Sequence, residues 1–255
     1  MPKAVSNGNG NGNGKPAVHL VLQGKGGVGK SLVSSILAQY LREKQKPVHC
    51  FDTDPVNATL AQYQELSAEH LNVLRRGAIN EKEFDSLVEK ICRGDGIFVV
   101  DTGATTFVPL WNYILENEIL RFLEEHGRPV YVHSVVTGGQ AMSDTLNGFA
   151  EVAKTTGQKN IIVWLNEYFG EVVGKEGKPF EDLKVAQQYA ERLVGSVTMR
   201  ERNPNTFGDD VKQMLERRLT FDSAIRSEEF SLVSKQRLAI VKRDLFDQLD
   251  KLGLA

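Results

Sequence analysis

Eight consecutive residues, Gly24-Lys25-Gly26-Gly27-Val28-Gly29-Lys30-Ser31, combine backbone freedom with two cations and a hydroxyl. Their spacing satisfies G-x-x-x-x-G-K-S/T, in which the glycines let the chain curl until successive N–H groups point at phosphate oxygens. A helix starting where the loop ends adds its positive terminus to the same spot. In that setting Lys30 reaches the β- and γ-phosphates of a nucleoside triphosphate, and the Ser31 hydroxyl ligates Mg²⁺. Gly24, Gly26 and Gly29 also spell G-x-G-x-x-G, a dinucleotide fingerprint. Against that reading, a dinucleotide site has no use for Lys-Ser directly after its third glycine. The acidic residue expected ~20 residues on is also late, since Asp52 lies 28 beyond Gly24.

Other polar residues fall at the ends of apolar runs. Phe51-Asp52-Thr53-Asp54-Pro55 closes one run, and two aspartates at i, i+2 on a strand end face one side, where both can address a single Mg²⁺-phosphate centre. Ile97-Phe98-Val99-Val100 ends in Asp101, a position from which a carboxylate holds Mg²⁺ directly or through water. Asn166 closes a third run, where an amide either caps a turn or offers a donor and an acceptor to a base edge. Val135-Val136-Thr137-Gly138-Gly139-Gln140 reads equally as a switch loop near the nucleotide or as an ordinary strand-to-helix turn. The five histidines, at 19, 49, 70, 126 and 133, have no metal-ligand spacing and no linked nucleophile, and read as structural.

These residues need a scaffold, and the chain supplies one. Short β-rich runs at 18–22, 47–52, 71–74, 97–101, 129–136, 160–165 and 194–198 alternate with segments of helical period, the pattern of stacked βαβ units. Runs such as VHLVL and NIIVWL are apolar almost throughout, as expected of strands covered by helices on both faces. The fold class is therefore α/β: a three-layer, doubly wound, mostly parallel sheet flanked by helices. Residues 80–92 read as a helix, with Asn80 and Glu83 forming a capping-box-like pair and Phe84, Leu87, Val88 and Ile91 an apolar stripe ending at Gly94. A final helix carries Leu238, Val241, Leu245, Leu249 and Leu252 and stops near Gly253. Aspartates 244, 247 and 250 alternate with basic residues along it, so it is expected to dock on the domain or on a second subunit rather than on an anionic membrane.

Composition narrows the class. With 41% hydrophobic and 25% charged residues the 255-residue chain is globular, and a single domain from residue 18 to 255 is the simplest division. Residues 1–17, rich in Asn and Gly, read as a disordered tail. The net charge of −2 gives no global field for nucleic acid. Arg200, Arg202, Arg217 and Arg218 are interleaved with Glu201, Asp209, Asp210 and Glu216, a mixed-charge surface. Cys50 and Cys92 make neither a disulfide framework nor a zinc site. With no apolar stretch of membrane-spanning length, the expected location is cytoplasmic.

Lys25, directly after the first loop glycine, makes GKGGVGKS resemble the deviant Walker A loop of the ParA/MinD family of P-loop ATPases. The D-x-D-P segment and the strand ending at Asp101 resemble that family's further blocks. The resemblance implies binding and slow hydrolysis of Mg²⁺-ATP by a homodimer formed in the ATP state. It implies that Gly24, Lys25, Gly26, Gly27, Val28, Gly29, Lys30, Ser31 and Leu32 hold the nucleotide and that Asn166 reads adenine. Ser31, Asp52 and Asp101 would surround the metal, Asp54 would position the attacking water, Lys30 would hold phosphate, and Lys25 would reach the partner subunit's phosphates. Two departures stand out: Val56-Asn57 in place of the usual Gln-Gly, and Asp101-Thr102-Gly103 in place of Asp-Thr-Pro.

Later blocks, among them FVPLWNYI, VHSVVTGGQA, RLTFDSAI and RLAIVKRDLFDQLD, are similar to a narrower family, accessory proteins encoded with conjugative plasmid transfer systems. That likeness implies a stimulating protein partner from a transfer or partition system, with DNA or membrane contact unsupported by the residues. A plasmid-partition ATPase, a small-molecule kinase or ligase of the dethiobiotin-synthetase type, and a nucleotide-gated binding module remain as alternatives.

Overall fold

The computed structural model describes residues 17–44, 47–157 and 159–254. The Asn/Gly-rich stretch expected to be a disordered tail lies outside the described residues, apart from Ala17. That residue is buried, and its carbonyl accepts a hydrogen bond from Phe98 N–H.

Seven parallel strands form the sheet. In chain order they are β1 (Val18–Leu22), β2 (Val48–Asp52), β3 (Glu69–His70), β6 (Ile97–Asp101), β7 (Val130–Thr137), β8 (Ile161–Asn166) and β9 (Leu193–Met199). Between β3 and β6 a small antiparallel hairpin pairs β4 (Leu74–Arg75) with β5 (Ala78–Ile79). The order across the sheet is β3-β2-β6-β1-β7-β8-β9. Every pairing in it is parallel, so each connection must cross over a face. The crossovers and the segment after β9 supply the outer layers: α1 (Lys30–Glu43), α2 (Glu83–Arg93), α3 (Ala104–Glu116), α4 (Ile119–Glu125), α5 (Met142–Thr155) and α6 (Lys184–Gln188) lie between strands, and α7 (Asp209–Glu216), α8 (Phe221–Arg226) and α9 (Leu232–Leu252) follow β9.

Strand periodicity sorts the core into two halves. Val18, Leu20 and Leu22 of β1, with Phe98, Val100, Val132 and Val163, meet Phe84 of α2, Phe107 of α3 and Phe149 of α5. Val21, Cys50, Val99, Val135 and Trp164 point the other way, onto Ile36 and Leu37 of α1, Phe221 of α8 and Leu245 and Leu249 of α9. Both faces are covered, which is why the strands read as continuous apolar runs. The expected doubly wound three-layer fold is what forms. Six of the seven expected strands lie within one residue of their places.

The exception is the run at 71–74. The sheet-pairing residues there are Glu69 and His70, while Leu74 belongs to the hairpin. Leu71 and Val73 supply the apolar signal by packing into the core from the connecting segment, outside the strand itself, although Leu71 N–H still donates to the Asp52 carbonyl at 2.8 Å. In α2 the expected stripe is present, with Phe84, Leu87 and Ile91 buried. Asn80 does not cap the helix through its side chain; its amide donates to the Glu83 carboxylate at 3.0 Å. Gly94 ends α2 in an extended conformation, and a Cβ there would lie 2.8 Å from the Phe98 ring and 2.9 Å from the Lys90 carbonyl.

Helix α9 docks on the domain, as its mixed-charge face suggested. Tyr40 of α1 donates to Asp250 at 2.9 Å, and Gln248 bonds both the amide and the carbonyl of Thr198 on β9. Gly253 ends α9 in the left-handed region at φ 65°. Among the described residues no helix is long and apolar enough to cross a membrane.

A polar column runs through the core beside α1. The Trp164 indole N–H, which can only donate, gives its proton to His133 Nδ1 at 2.9 Å. His133 therefore carries its own proton on Nε2 and donates to His19 Nδ1 at 2.9 Å. That leaves His19 Nε2 buried without a partner among the described residues. Burial pushes the His19 pKa down to about 3, and burial with His19 alongside lowers that of His133.

Because the folded imidazoles stay neutral, protons are taken up by the unfolded chain as pH falls through its ordinary value of 6.5. Stability is full above that value and declines as pH drops toward the folded value. Between pH 7.5 and 5 the His19 contribution should fall by about 2 kcal/mol in urea unfolding. It is read as the difference between the parent and His19→Asn, which keeps an acceptor for His133 but cannot titrate, because Asp101, whose pKa burial raises, takes up a proton in the folded state over the same window and opposes the net decline.

Candidate functional site

The phosphate-type loop leaves the carboxyl end of β1, with β6 and β7 on either side of that strand. The chain crosses from one side of β1 to the other between β6 and β7. This is the switch point at which open α/β sheets take ligands. Gly27 at φ 74° and Gly29 at φ 99° hold backbone conformations that a side chain would strain. The Gly29 carbonyl accepts from Val33 N–H at 2.9 Å, so α1 starts directly from the loop. A cavity of about 530 Å³ opens over it, lined by Gly26, Gly27, Gly29, Lys30, Ser31 and Leu32. Asp54, Val56, Asn57, Thr59, Thr102, Ala104 and Thr105 complete the wall.

Lys30 is buried, and its ammonium donates to the Lys25 carbonyl at 2.9 Å. Burial lowers its pKa, an effect opposed by the charges of Asp101 and Asp54. Asp101, at the end of β6, has no solvent exposure. Ser34, one turn along α1, donates to Asp101 Oδ1 at 2.9 Å, whereas Oδ2 has no partner among the described residues. Burial drives the Asp101 pKa up to about 7; Asp52 adds to the rise, and Ser31, Ser34 and Lys30 oppose it. A buried carboxylate with an unspent oxygen beside a serine hydroxyl is the hard-oxygen donor set that suits Mg²⁺.

Asp52, expected in the metal shell, is tied to the backbone of the loop that follows it. Its Oδ1 accepts from Asp54 N–H at 3.0 Å and its Oδ2 from Ala61 N–H at 3.1 Å. Both oxygens accept bonds from the loop that follows β2 and, like Asp101, Asp52 is fully buried and does not itself line the cavity. It anchors the segment that carries Asp54. Asp54 in turn accepts from Val56 and Asn57 N–H at 2.9 and 3.1 Å, a tight Asx turn that the Val56-Asn57 departure accommodates.

Lys25 points away from Lys30, with its ammonium 2.8 Å from Asp144 at the start of α5. Both side chains are about half exposed, at 45% and 57%, so this is a surface pair of little net strength. Gln23 makes a second, buried link to α5, its amide donating to the Val135 and Thr145 carbonyls at 2.8 and 3.0 Å. Gly148 leaves the space that the Gln23 side chain occupies. Asn166 is nearly buried; its Oδ1 accepts from Tyr168 N–H, and its Nδ2 donates to the Val28 carbonyl at 2.9 Å. The turn-capping role weighed from sequence is therefore made, together with a tether to the phosphate loop. Gly138 and Gly139 let their loop run in backbone contact with Phe169, Gly170 and Glu171.

Gln23, Ser34, Gly103 and Asp144 were not singled out from the sequence as site residues. Ser34 had a usable signal, since it lies three residues after Ser31 and so on one helix face. Asp144 had none, being 119 residues from its partner. Away from the cavity, the arginines are spent on acids: Arg200 and Arg202 both meet Asp244, and Arg217 pairs with Glu229.

Comparison with known proteins gives the family and the fold. Residues 20–227 match the model of the CobQ/CobB/MinD/ParA nucleotide binding domain. The chain is 43% identical over 234 residues to Protein TraL of Escherichia coli, covering 91% of this chain and 97% of that one. A second Escherichia coli Protein TraL is 43% identical over 235 residues, with the same coverage of both chains. Among solved structures, the septum site-determining protein MinD complexed with Mg-ADP from Pyrococcus horikoshii OT3 superposes with TM-score 0.51 at 16% identity, over 93% of this chain and 97% of that one. The MinD cell division protein of Aquifex aeolicus gives TM-score 0.50 at 16% identity, over 91% and 97%. The chain belongs to the CobQ/CobB/MinD/ParA nucleotide-binding family.

The anchor assigned to Asp52 can be read directly. Asp52→Ala should free the Asp54 and Ala61 amides to exchange with solvent and cost about 2–3 kcal/mol in urea unfolding. Continued protection of both amides would show that the loop is held by something else.

Proposed function

We propose that this ParA/MinD-type protein binds Mg²⁺-ATP and hydrolyses it slowly as a nucleotide-dependent dimer switch, in an accessory role in conjugative plasmid transfer. The observation that carries the reading is the convergence of Lys30, Ser31 and Asp54 on one cavity at the sheet's switch point, with the buried Asp101 carboxylate, which does not itself line that cavity, close enough to Lys30 for their charges to interact. The likeness to TraL supports the setting. The Mg-ADP held by the Pyrococcus MinD supports the ligand class.

In this reading, N–H groups of Gly26 to Ser31 surround the phosphates and Lys30 exchanges its bond to the Lys25 carbonyl for phosphate oxygens. Ser31 and Asp101 would hold Mg²⁺, which when bound neutralises charge on the phosphates; its presence would also relieve the burial penalty on Asp101. Asp52 contributes by fixing the loop. Asp54 orients the attacking water, from a carboxylate whose Oδ1 is already pinned by two amides. Asn166 would meet adenine with the N–H that its tether to Val28 leaves over. Lys25, freed from Asp144, would reach the phosphates of a second copy and place positive charge where the transferring phosphoryl group is electron-rich.

A homodimer is thus the immediate partner, and a protein of the transfer system would set the rate. The domain is read as a single unit from residue 18 to 255, acting in the cytoplasm.

Two measurements test the proposal. Lys30→Ala should weaken Mg²⁺-ATP binding by about a hundredfold or more in calorimetry, and undiminished affinity would remove the phosphate-loop assignment. Asp54→Ala should keep ATP affinity while losing turnover. By light scattering, its molar mass should double with Mg²⁺-ATP but not with ADP or without nucleotide. A mass that stays constant while ATP binds would exclude the switch dimer.

A further inference from the structure

We propose that Gly103 is a positioning residue for the Asp54 carboxylate, its bare α-carbon forming the seat that aims that group into the cavity. The proposal rests on the reading of Asp54 as the residue that orients water.

A Cβ built at Gly103 would lie 2.6 Å from Asp54 Cγ and 2.9 Å from each carboxylate oxygen, and these are its three nearest atoms. Equal distances to both oxygens mean that the carboxylate lies flat against the backbone at this point. Gly103 itself has φ −72° and ψ 158°, extended values that any residue adopts. Glycine is required here for space, not for conformation.

The opposite side of the carboxylate is equally constrained. Oδ1 is held by the Val56 and Asn57 amides at 2.9 and 3.1 Å, and the preceding residue, Thr53, bonds the Asp101 carbonyl through both its N–H and its hydroxyl. Asp54 is a short side chain with one rotatable bond before the carboxyl group. It cannot yield to a methyl group at position 103 without giving up one of those amides. The neighbours of Gly103, Thr102 and Ala104, line the same cavity as Asp54, so the displacement would occur at the cavity wall.

Gly103→Ala should therefore lower kcat while leaving binding alone. Misplacement of a reacting group by about 1 Å costs up to ~100-fold, so a fall of at least about tenfold is expected, with the KM for Mg²⁺-ATP within about twofold of the parent. Gly157→Ala, at an exposed position with nothing within 4 Å of the new methyl, is the control and should leave both constants unchanged. Unchanged kcat in Gly103→Ala, or a rise in KM equal to the loss of rate, would overturn the proposal.

A readout independent of turnover is amide exchange at Val56 and Asn57. Gly103→Ala should accelerate it toward the rate seen in Asp54→Ala, and unaltered protection would remove the seat. In the Asp54→Ala background, adding Gly103→Ala should leave the urea midpoint unchanged or raised, because the methyl no longer meets the carboxylate. A lowered midpoint there would mean a merely structural glycine. Normal turnover by Asp54→Ala alone would instead overturn the water-orienting role and the rate claim with it, while the exchange data would still decide whether Gly103 seats the carboxylate.

Discussion

A carboxylate without access to water, Asp101, is the constraint around which this end of the sheet is arranged. An ionised group there is unfavourable, and burial drives its pKa up to about 7. The chain offsets part of this cost locally. Ser34 donates to one oxygen, and Lys30 stands close enough to favour the charged form. No described residue serves the second oxygen. In the proposed function, that second oxygen and the neighbouring Ser31 are the groups left to meet a metal ion.

That arrangement is possible because β1 lies between β6 and β7 in an all-parallel sheet. The phosphate-type loop, the Asp101 strand end and the loop after β2 then open on one edge of the molecule. Polar contacts secure them: the Thr102 hydroxyl to the Val21 carbonyl at 2.7 Å, the Thr53 N–H and hydroxyl to the Asp101 carbonyl, and the Asn166 amide to the Val28 carbonyl. Small residues do the complementary work. Gly103 admits Asp54, Gly148 admits Gln23, and Gly138 with Gly139 admits the loop after β8. A side chain at any of these would separate elements that the site needs in contact.

The two outer layers differ in what they serve. The helices α2 to α5 cover one face with an apolar cluster, whereas α1, α8 and α9 cover the other and enclose the Trp164-His133-His19 column. The C-terminal helix belongs to that second layer. Its aspartates find partners on α1 and on the segment after β9, which ties the end of the chain to the helix that follows the phosphate-type loop.

Much of this was legible in the sequence, for identifiable reasons. Strands buried on both faces leave apolar runs that no surface segment imitates, and the loop from Gly24 to Ser31 is local, so its spacing alone carries its chemistry. The run at 71–74 misled because burial and ladder pairing leave the same apolar signal, and only the backbone path separates them. The surroundings of Asp52 were not legible for a related reason. Its place in D-x-D-P fixes which way its side chain faces but not whether water, metal or backbone amides will meet it. The contacts of Lys25 with Asp144, Gln23 with Thr145 and Asp54 with Gly103 join residues between 49 and 122 positions apart. The sequence determined the chemistry that each short segment can perform. Tertiary structure alone decided which groups remain unspent, because a hydrogen bond or a steric seat depends on distance in space, and distance along the chain does not set it.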